Sequence, residues 1–283
     1  MTRVAIIGGG IGGLTAANAL SRAGIEVAVY EAAAELKEIG AGVALHPNAM
    51  KVLRAIGVEA SVREIAGRSQ WQVMRNWKTG RVIAKTSRQQ QAASFGTNGA
   101  TVHRADLLDV LADALPTGMV TLGKREEVLE RYTGWHESLL RLFAAADTWY
   151  KWALYDRDPI PQWTRGRITL LGDAAHPMLP YLGQGACQAI EDGAVLATAL
   201  SAEAADPVTG LARYERTRRT RASRVVLAAR ERGLSNHLTS PWAAWRRDLT
   251  IAVRRRVNRR DPEGRGAAWL ADYDASSPDV LAT

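Results

Sequence analysis

Cysteine is almost absent from this sequence. Cys187 is the only one in 283 residues, so no intramolecular disulfide can form, and no Cys/His spacing is typical of a zinc site. We therefore predict no metal site, and we expect Cys187 to behave as a small buried hydrophobe. With 47% hydrophobic residues, the chain can nevertheless bury a substantial core.

Long apolar runs are also lacking. The longest uncharged span, residues 4–21, contains five glycines and lacks the basic region and the cleavage site of a signal peptide. This composition makes the span a poor membrane helix. The sequence thus predicts a soluble, cytoplasmic protein that does not bind a membrane.

Acidic residues are sparse near the C-terminus. The net charge is +8, and residues 213–265 contain 16 arginines and five acids, a local charge of +11. Such a segment could bind nucleic acid, anionic lipid or a phosphorylated cofactor. A solvated helical face is the simpler interpretation, and we predict no nucleic-acid partner.

Hydrophobic periodicity predicts an α/β fold. Apolar runs at residues 3–7 and 26–30 flank a helical pattern that begins at Leu14, which is the arrangement of a βαβ unit. Further patterns predict a hairpin at residues 71–84, strands at 119–122 and 167–171, and helices at 47–56, 104–115, 126–143 and 186–201.

Two C-terminal helices are predicted from the caps Asp206–Pro207 and Ser240–Pro241. The first helix has an apolar stripe of Leu211, Tyr214, Ala222, Val225 and Ala229. The second has a stripe of Trp242, Trp245, Leu249 and Val253. We expect both stripes to dock on the body of the protein and the arginines to lie largely on the other faces. A helix at a membrane interface is the alternative for the tryptophan stripe.

A glycine-rich turn follows the first predicted strand. In this turn, Gly8 permits a tight bend, Gly10 lets the backbone approach a pyrophosphate, and Gly13 allows close helix–strand packing, with Gly12 beside it. Glu31 follows 18 residues after Gly13, where a carboxylate can bind ribose hydroxyls and would repel the 2′-phosphate of NADP. The motif predicts an adenine dinucleotide, either NAD or FAD.

A second motif, LLGDAAHPMLPYLGQGA, favours FAD. Asp173 follows the strand predicted at residues 167–171, and its carboxylate can bind a polyol such as the ribityl chain of a flavin. Gly183 and Gly185 let the backbone approach a flat ring. The N-terminus of the next helix would stabilise the negative charge of a reduced flavin.

The sequence resembles the class A FAD-dependent aromatic hydroxylases, in particular the salicylate hydroxylase and 3-hydroxybenzoate 6-hydroxylase group. The matching pieces are VAIIGGGIGGL with Glu31, residues 40–49, residues 102–107, GDAAHP with residues 183–186 and 191–193, and residues 269–274. The resemblance implies an α/β fold with a Rossmann-like FAD-binding domain of the GR2 type, a truncated α+β substrate domain and C-terminal helices.

The resemblance also implies site residues. Residues 8–13 and Glu31 would hold the ADP half of FAD, Arg104 would reach the pyrophosphate or ribityl region, and Asp173 would bind the ribityl-pyrophosphate part. The predicted contacts of the flavin end are Val43, Gly183, Gly185 and Ala186. The two catalytic candidates are Pro180, on the active face of the ring, and His46, near the substrate. A hydrogen-bonded structural histidine is an equally good interpretation of His46.

The resemblance further implies the reaction. Relatives reduce the flavin with NADH or NADPH, form a C4a-hydroperoxide with O2 and hydroxylate a small aromatic substrate, here one like hydroxybenzoate or salicylate. Two alternatives stay open: a flavin-binding remnant without coupled hydroxylation, and a plain NAD dehydrogenase. The sequence also leaves a homodimer open.

The resemblance breaks after about residue 124. Further family strands, a Gly-Ala-Asp-Gly segment and much of the substrate-domain sheet have no counterpart, which indicates an internal deletion. We predict an FAD-binding domain at residues 1–66, 97–124 and 160–205, and a remnant of the substrate domain at 67–96 and 125–159. C-terminal helices would follow at 206–262 and a tail at 263–283.

Overall fold

The computed structural model describes residues 2–30, 42–76, 78–114, 154, 156–257 and 268–282. Glu31 and the elements predicted at residues 119–122 and 126–143 lie outside the described residues. Within them, helices pack around short two-stranded sheets in a mixed α/β arrangement.

The predicted βαβ unit is confirmed. Strands β1 (Arg3–Ile7) and β2 (Glu26–Tyr30) pair in parallel, and helix α1 (Ile11–Arg22) connects them. The apolar residues of α1 are buried between this sheet and helix α6 (Gly185–Ala202). The two helices lie so close that a Cβ added to Gly193 would be 2.7 Å from the backbone nitrogen of Ala16.

A second pair of strands, which is antiparallel, follows this unit in the chain. Strand β3 (Gly42–Leu45) pairs with β6 (Ala100–His103). The helices of this region are α2 (Pro47–Ala55), α3 (Glu59–Glu64) and α5 (Arg104–Asp113). Asn18 of α1 donates a 3.0 Å hydrogen bond to the backbone oxygen of Leu111 in α5, which ties the two parts together.

The hairpin predicted at residues 71–84 forms from β4 (Trp71–Arg75) and β5 (Val82–Ser87). Its turn places Gly80 at φ +67°, in the left-handed region that favours glycine. Helix α4 (Arg88–Phe95) follows and was not predicted. Ser87 and Gln90 form a capping box at its start, a signal that is visible in the sequence.

The strand predicted at residues 167–171 is shorter than expected. Only β8 (Ile168–Thr169) forms, and it pairs with β7 (Thr164–Arg165) across a tight turn at Gly166, whose φ is +59°. Because β7 has only two residues, it can pair with only two residues of the predicted strand. The 3-10 turn Gly172–Ala174 follows.

Helix α7 (Pro207–Asn236) begins at the predicted cap, where the Asp206 carboxylate accepts hydrogen bonds from the backbone nitrogens of Val208 and Thr209. Its predicted apolar stripe is buried as expected: Leu211, Tyr214, Ala222, Val225 and Ala229. None of the helices in the described ranges has the length and apolarity needed to span a membrane.

Helix α8 (Pro241–Val257) contradicts the predicted docking of its tryptophan stripe. The exposed fractions are 65% for Trp242, 50% for Trp245, 47% for Leu249 and 51% for Val253. The helix packs through its opposite side, where Ile251 is buried with Ile83 and Ala84 of β5. The contact of α8 with the rest of the protein is therefore made by Ile251 and not by the tryptophan stripe. A short helix α9 (Ala268–Asp272) and the 3-10 turn Pro278–Leu281 complete the described part.

Candidate functional site

The glycine-rich turn has the backbone geometry that its sequence predicts. Gly8 has φ +108°, a backbone conformation that would be strained in any residue with a Cβ atom. A Cβ on Gly13 would lie 2.0 Å from the backbone oxygen of Gly8, and a Cβ on Gly12 would lie 2.6 Å from Cδ2 of Leu171. Gly13 is therefore required by packing against backbone, whereas a side chain at Gly12 would have to displace the Leu171 side chain.

Gly10 and Gly185 differ from these packed glycines, because a Cβ on either would meet no protein atom within 4 Å. Gly10 caps α1 and Gly185 begins α6, and neither helix has an acidic residue in its first turn. Both helix N-termini therefore combine open space with the positive end of a helix dipole. This combination suits an anionic ligand that approaches the backbone closely.

One cavity of about 1080 Å³ connects these two helix N-termini. Its volume is at the upper end of ordinary ligand pockets, which reach about 1,000 Å³, so it can hold an extended ligand. Eleven of the predicted site residues line it: Gly8, Gly10, Gly12, Gly13, Val43, Arg104, Asp173, Pro180, Gly183, Gly185 and Ala186. The fold thus brings the separate motifs to one place.

His46 is not among the described residues that line this cavity. It lies behind the wall, where its Nε2 is 3.2 Å from the position that a Cβ on Gly183 would take. Its backbone nitrogen donates to Sγ of Cys187 at 3.4 Å. A catalytic role for His46 stays a prediction.

The turn that carries Asp173 is held from inside the protein by Asp192 of α6. The Asp192 Oδ2 accepts a 2.9 Å hydrogen bond from the backbone nitrogen of Gly172 and lies 2.6 Å from Nε2 of His176. The His176 ring is buried there, whereas Asp173 is exposed on the cavity side. Asp192 therefore clamps the chain on both sides of Asp173.

Arg218 of α7 completes the clamp and corrects the prediction of a solvated arginine face. Its side chain is fully buried; its Nε lies 2.7 Å from Oδ1 of Asp192, and a terminal nitrogen lies 2.5 Å from Oε2 of Glu191. The prediction was wrong for Arg218 because residue 218 falls on the same helical stripe as Tyr214 and Ala222. That spacing was the signal in the sequence.

Arg221 is a second arginine that the sequence prediction misplaced. It binds both carboxylate oxygens of Glu191, at 2.8 and 2.7 Å, and its guanidinium lies 3.9 Å from the ring centre of Tyr273. Asn48 of α2 donates to the same carboxylate at 2.6 Å. Glu191 therefore links α2, α6, α7 and the C-terminal segment.

The acidic members of this cluster are ionised. Burial alone would raise the pKa of the Glu191 carboxyl, but attraction by Arg218 and the bonds and charge of Arg221 hold that pKa below its usual 4.5. Burial would likewise raise the pKa of Asp192, and His176 and Arg218 hold it below 3.8. The floor of the cavity thus rests on a buried ion cluster.

Cys187 lies between this cluster and β3, and we expect it to be unreactive. Burial is the main cause that raises the pKa of its thiol to about 12. The native protein should therefore not react with a thiol-specific disulfide reagent at about pH 8, because the thiolate is the reactive form. Reaction should reach about one equivalent in denaturant. Fast reaction of the native protein would contradict this placement.

Comparison with known proteins identifies the family. A model of the FAD binding domain family matches residues 1–130 and 148–229. The chain belongs to this family. The cavity fits this family, because the cofactor of the family is a dinucleotide. The glycine turn, the open space at Gly10 and the two helix N-termini are suited to bind a dinucleotide.

Individual relatives extend this result. The chain is 28% identical over 389 residues to the 3-amino-4-hydroxybenzoate 2-monooxygenase PtnB3 of Streptomyces platensis, covering 97% of this chain and 96% of that protein. It is 28% identical over 363 residues to the 3-hydroxybenzoate 6-hydroxylase of Polaromonas naphthalenivorans, covering 87% and 91%. These relatives confirm membership of the class A FAD-dependent aromatic hydroxylases, with FAD as cofactor.

A solved structure supports the fold. The HpxO protein of Klebsiella pneumoniae, complexed with FAD and uric acid, superposes with a TM-score of 0.81 at 21% identity, covering 95% of this chain and 97% of that chain. At this identity, the likeness shows the fold alone. The predicted α/β fold with a Rossmann-like FAD-binding domain is confirmed.

The comparisons also bear on the predicted deletion. The match to PtnB3 extends over 389 residues, whereas this chain has 283, so at least 106 positions (389 minus 283) have no residue here. The chain therefore lacks an internal stretch that this relative has.

Proposed function

We propose that the protein is an FAD-dependent monooxygenase that hydroxylates a small aromatic substrate resembling hydroxybenzoate or salicylate, using O2 and NADH or NADPH. The observation that carries the proposal is the single cavity lined by the glycine turn, the Asp173 turn and the N-terminus of α6. A nicotinamide dehydrogenase would not account for the Asp173 turn and the α6 N-terminus in the same cavity as the glycine turn.

The proposed roles are assigned to the motifs that line the cavity. The turn at residues 8–13 would hold the ADP half of FAD together with Glu31, and Arg104 would neutralise the pyrophosphate. Asp173 would bind the ribityl hydroxyls. The proposed contacts of the flavin end are Val43, Gly183, Gly185 and Ala186. We assign residues 1–66, 97–124 and 160–205 to the FAD-binding domain on this basis.

Bound FAD would supply hydride acceptance and the activation of O2, which no protein side chain provides. The protein's part is electrostatic and positional. The N-terminus of α6 would stabilise negative charge at the flavin edge, and Pro180 would face the substrate side. The predicted catalytic role of His46 requires its Nε2, which lies behind Gly183, to reach a phenol hydroxyl of the substrate.

The substrate class is inferred from the relatives. The two named above act, by their names, on 3-amino-4-hydroxybenzoate and 3-hydroxybenzoate. Both compounds are benzoates with a ring hydroxyl. We infer that the substrate of this chain also has a ring activated by a hydroxyl group.

A flavin-binding remnant is the second candidate, and one observation favours it. The cavity is lined in part by β1 and by residues 167–171, and β1 pairs only with β2 among the described strands. Ile7 and Ile168 on these two segments are 82% and 73% exposed. Water that enters the cavity there would let the oxygen reduced by the flavin leave as hydrogen peroxide, so no oxygen atom would be transferred to a substrate.

Product analysis separates these candidates. The protein should be supplied with FAD, NADH or NADPH and a panel of hydroxylated benzoates, and both hydroxylated product and peroxide measured. Stoichiometric product supports the monooxygenase, whereas peroxide alone supports the remnant. Asp173→Ala should lower the rate of NADH oxidation at limiting FAD by about tenfold or more, and Asp113→Ala, an exposed change on α5, should leave it unchanged.

A further inference from the structure

Helix α8 presents an apolar surface to solvent. Its five members, with their exposed fractions, are Trp242 (65%), Trp245 (50%), Leu249 (47%), Val253 (51%) and Val257 (80%). Their spacing of three or four residues places all of them on one side of the helix. We call this set the α8 stripe.

The α8 stripe lies on the solvent side of the helix, with each member 47% exposed or more. Among the described side chains of α8, Ile251 (4% exposed) is buried on the opposite side and Asp248 (6% exposed) is buried on the flank. The rings of Trp242 and Trp245 stack with centroids 4.8 Å apart, so they form one broad apolar plate. A contiguous exposed patch of this kind, unlike scattered apolar residues, indicates an interaction surface.

The charge of α8 is strongly positive. Its sequence contains Arg246, Arg247, Arg254, Arg255 and Arg256 and a single acid, Asp248, which gives a net charge of +4. Asp248 is paired with Arg247 at 2.8 Å. The helix also lies within the segment of residues 213–265 whose charge is +11. A partner of this surface must therefore tolerate or require cations.

We propose that α8 binds the surface of an anionic lipid bilayer, with the α8 stripe in the headgroup region and the net positive charge of the helix attracting the lipid phosphates. An exposed stripe of tryptophan and aliphatic residues with flanking arginines is the pattern of helices that lie in a membrane interface. Tryptophan rings favour that depth in particular. The helix lies on the bilayer and does not cross it.

Two other partners fit the surface less well. A second copy of this chain, packed stripe to stripe, would bring two helices of charge +4 together. A nucleic-acid duplex would satisfy the arginines through its phosphates but would leave the stacked tryptophans in water. An anionic membrane satisfies both the apolar stripe and the charge. This proposal depends on α8 alone and stands apart from the function proposed for the cavity.

Vesicle binding tests the proposal. The purified full chain should sediment with vesicles that contain phosphatidylglycerol and phosphatidylcholine, but not with phosphatidylcholine alone, and salt should weaken the binding. Tryptophan emission should shift to shorter wavelength on binding. Trp242→Ser/Trp245→Ser should weaken vesicle binding by about tenfold or more, because the two exposed rings supply much of the apolar area that the membrane would cover.

The control is Trp71→Ser, which removes a tryptophan of similar exposure, 48%, from the β4–β5 hairpin. It should leave vesicle binding unchanged. The proposal is overturned if the chain does not bind anionic vesicles, if it binds neutral vesicles equally, or if the double variant binds like the parent. A dimer in light scattering that the double variant abolishes would also overturn it, since a second copy would then cover the α8 stripe.

Discussion

Arg218→Ala is expected to lower the free energy of unfolding by about 3–5 kcal/mol, the cost of leaving buried charge without its partner. Glu191 and Asp192 are both 0% exposed, and each loses its Arg218 contact, at 2.5 and 2.7 Å respectively. Arg221 still binds Glu191, but Asp192 keeps only His176 and the backbone of Gly172. The Asp173 turn would lose its support as well.

Urea unfolding measures this effect, and Arg216→Ala on the exposed side of the same helix is the matched control, expected to change little. At acid pH, the difference in the free energy of unfolding between Arg218→Ala and the parent protein should become smaller. The pKa values of Glu191 and Asp192 are lowered in the folded state, so their contribution is present above about pH 4 and is lost as the pH falls through the folded values. An equal loss of unfolding free energy in Arg216→Ala and Arg218→Ala would contradict the presence of the buried ion cluster.

Two alanine substitutions in the glycine turn should weaken FAD binding for different reasons. In Gly13→Ala, the new methyl group would lie 2.0 Å from the backbone oxygen of Gly8, so the turn must open and the protein should lose at least about 1–3 kcal/mol of stability. In Gly10→Ala, the methyl group meets no protein atom within 4 Å. This variant should fold normally but bind FAD at least about tenfold more weakly, which is about 1.4 kcal/mol, because the methyl group occupies the ligand's space.

Thermal unfolding without FAD and an FAD titration distinguish the two effects. Gly67→Ala is the control, because its Cβ would make an ordinary 3.6 Å contact with the backbone oxygen of Thr101, away from the cavity. If Gly10→Ala bound FAD as tightly as Gly67→Ala, the pyrophosphate would not lie against this turn.

Much of the candidate site could be predicted from sequence because its chemistry is local. Gly8 needs a left-handed φ, Gly13 needs room beside the turn, and Asp173 follows a strand, and each requirement is met within a few residues. The βαβ unit was equally predictable from its periodicity. Eleven motif residues from distant parts of the chain consequently line one cavity.

The parts that sequence did not predict depend on tertiary position. Arg218 is buried because Glu191 and Asp192, 27 and 26 residues earlier, face it from α6. The spacing of residues 214, 218 and 222 places Arg218 on the buried stripe, but it does not show which carboxylates will face it. The orientation of α8 was missed for a related reason: its stripe predicts an amphipathic helix, but only the packing of Ile251 on β5 shows which side touches the protein.

An FAD titration of the purified chain, followed by its visible absorption spectrum before and after NADH in air, tests the central claim most directly. The claim is that the cavity between the N-termini of α1 and α6 holds FAD. We expect saturable binding of about one FAD per chain, a protein-perturbed flavin spectrum, and bleaching with NADH. A folded chain, judged by circular dichroism, that binds no FAD at micromolar concentrations would contradict the account.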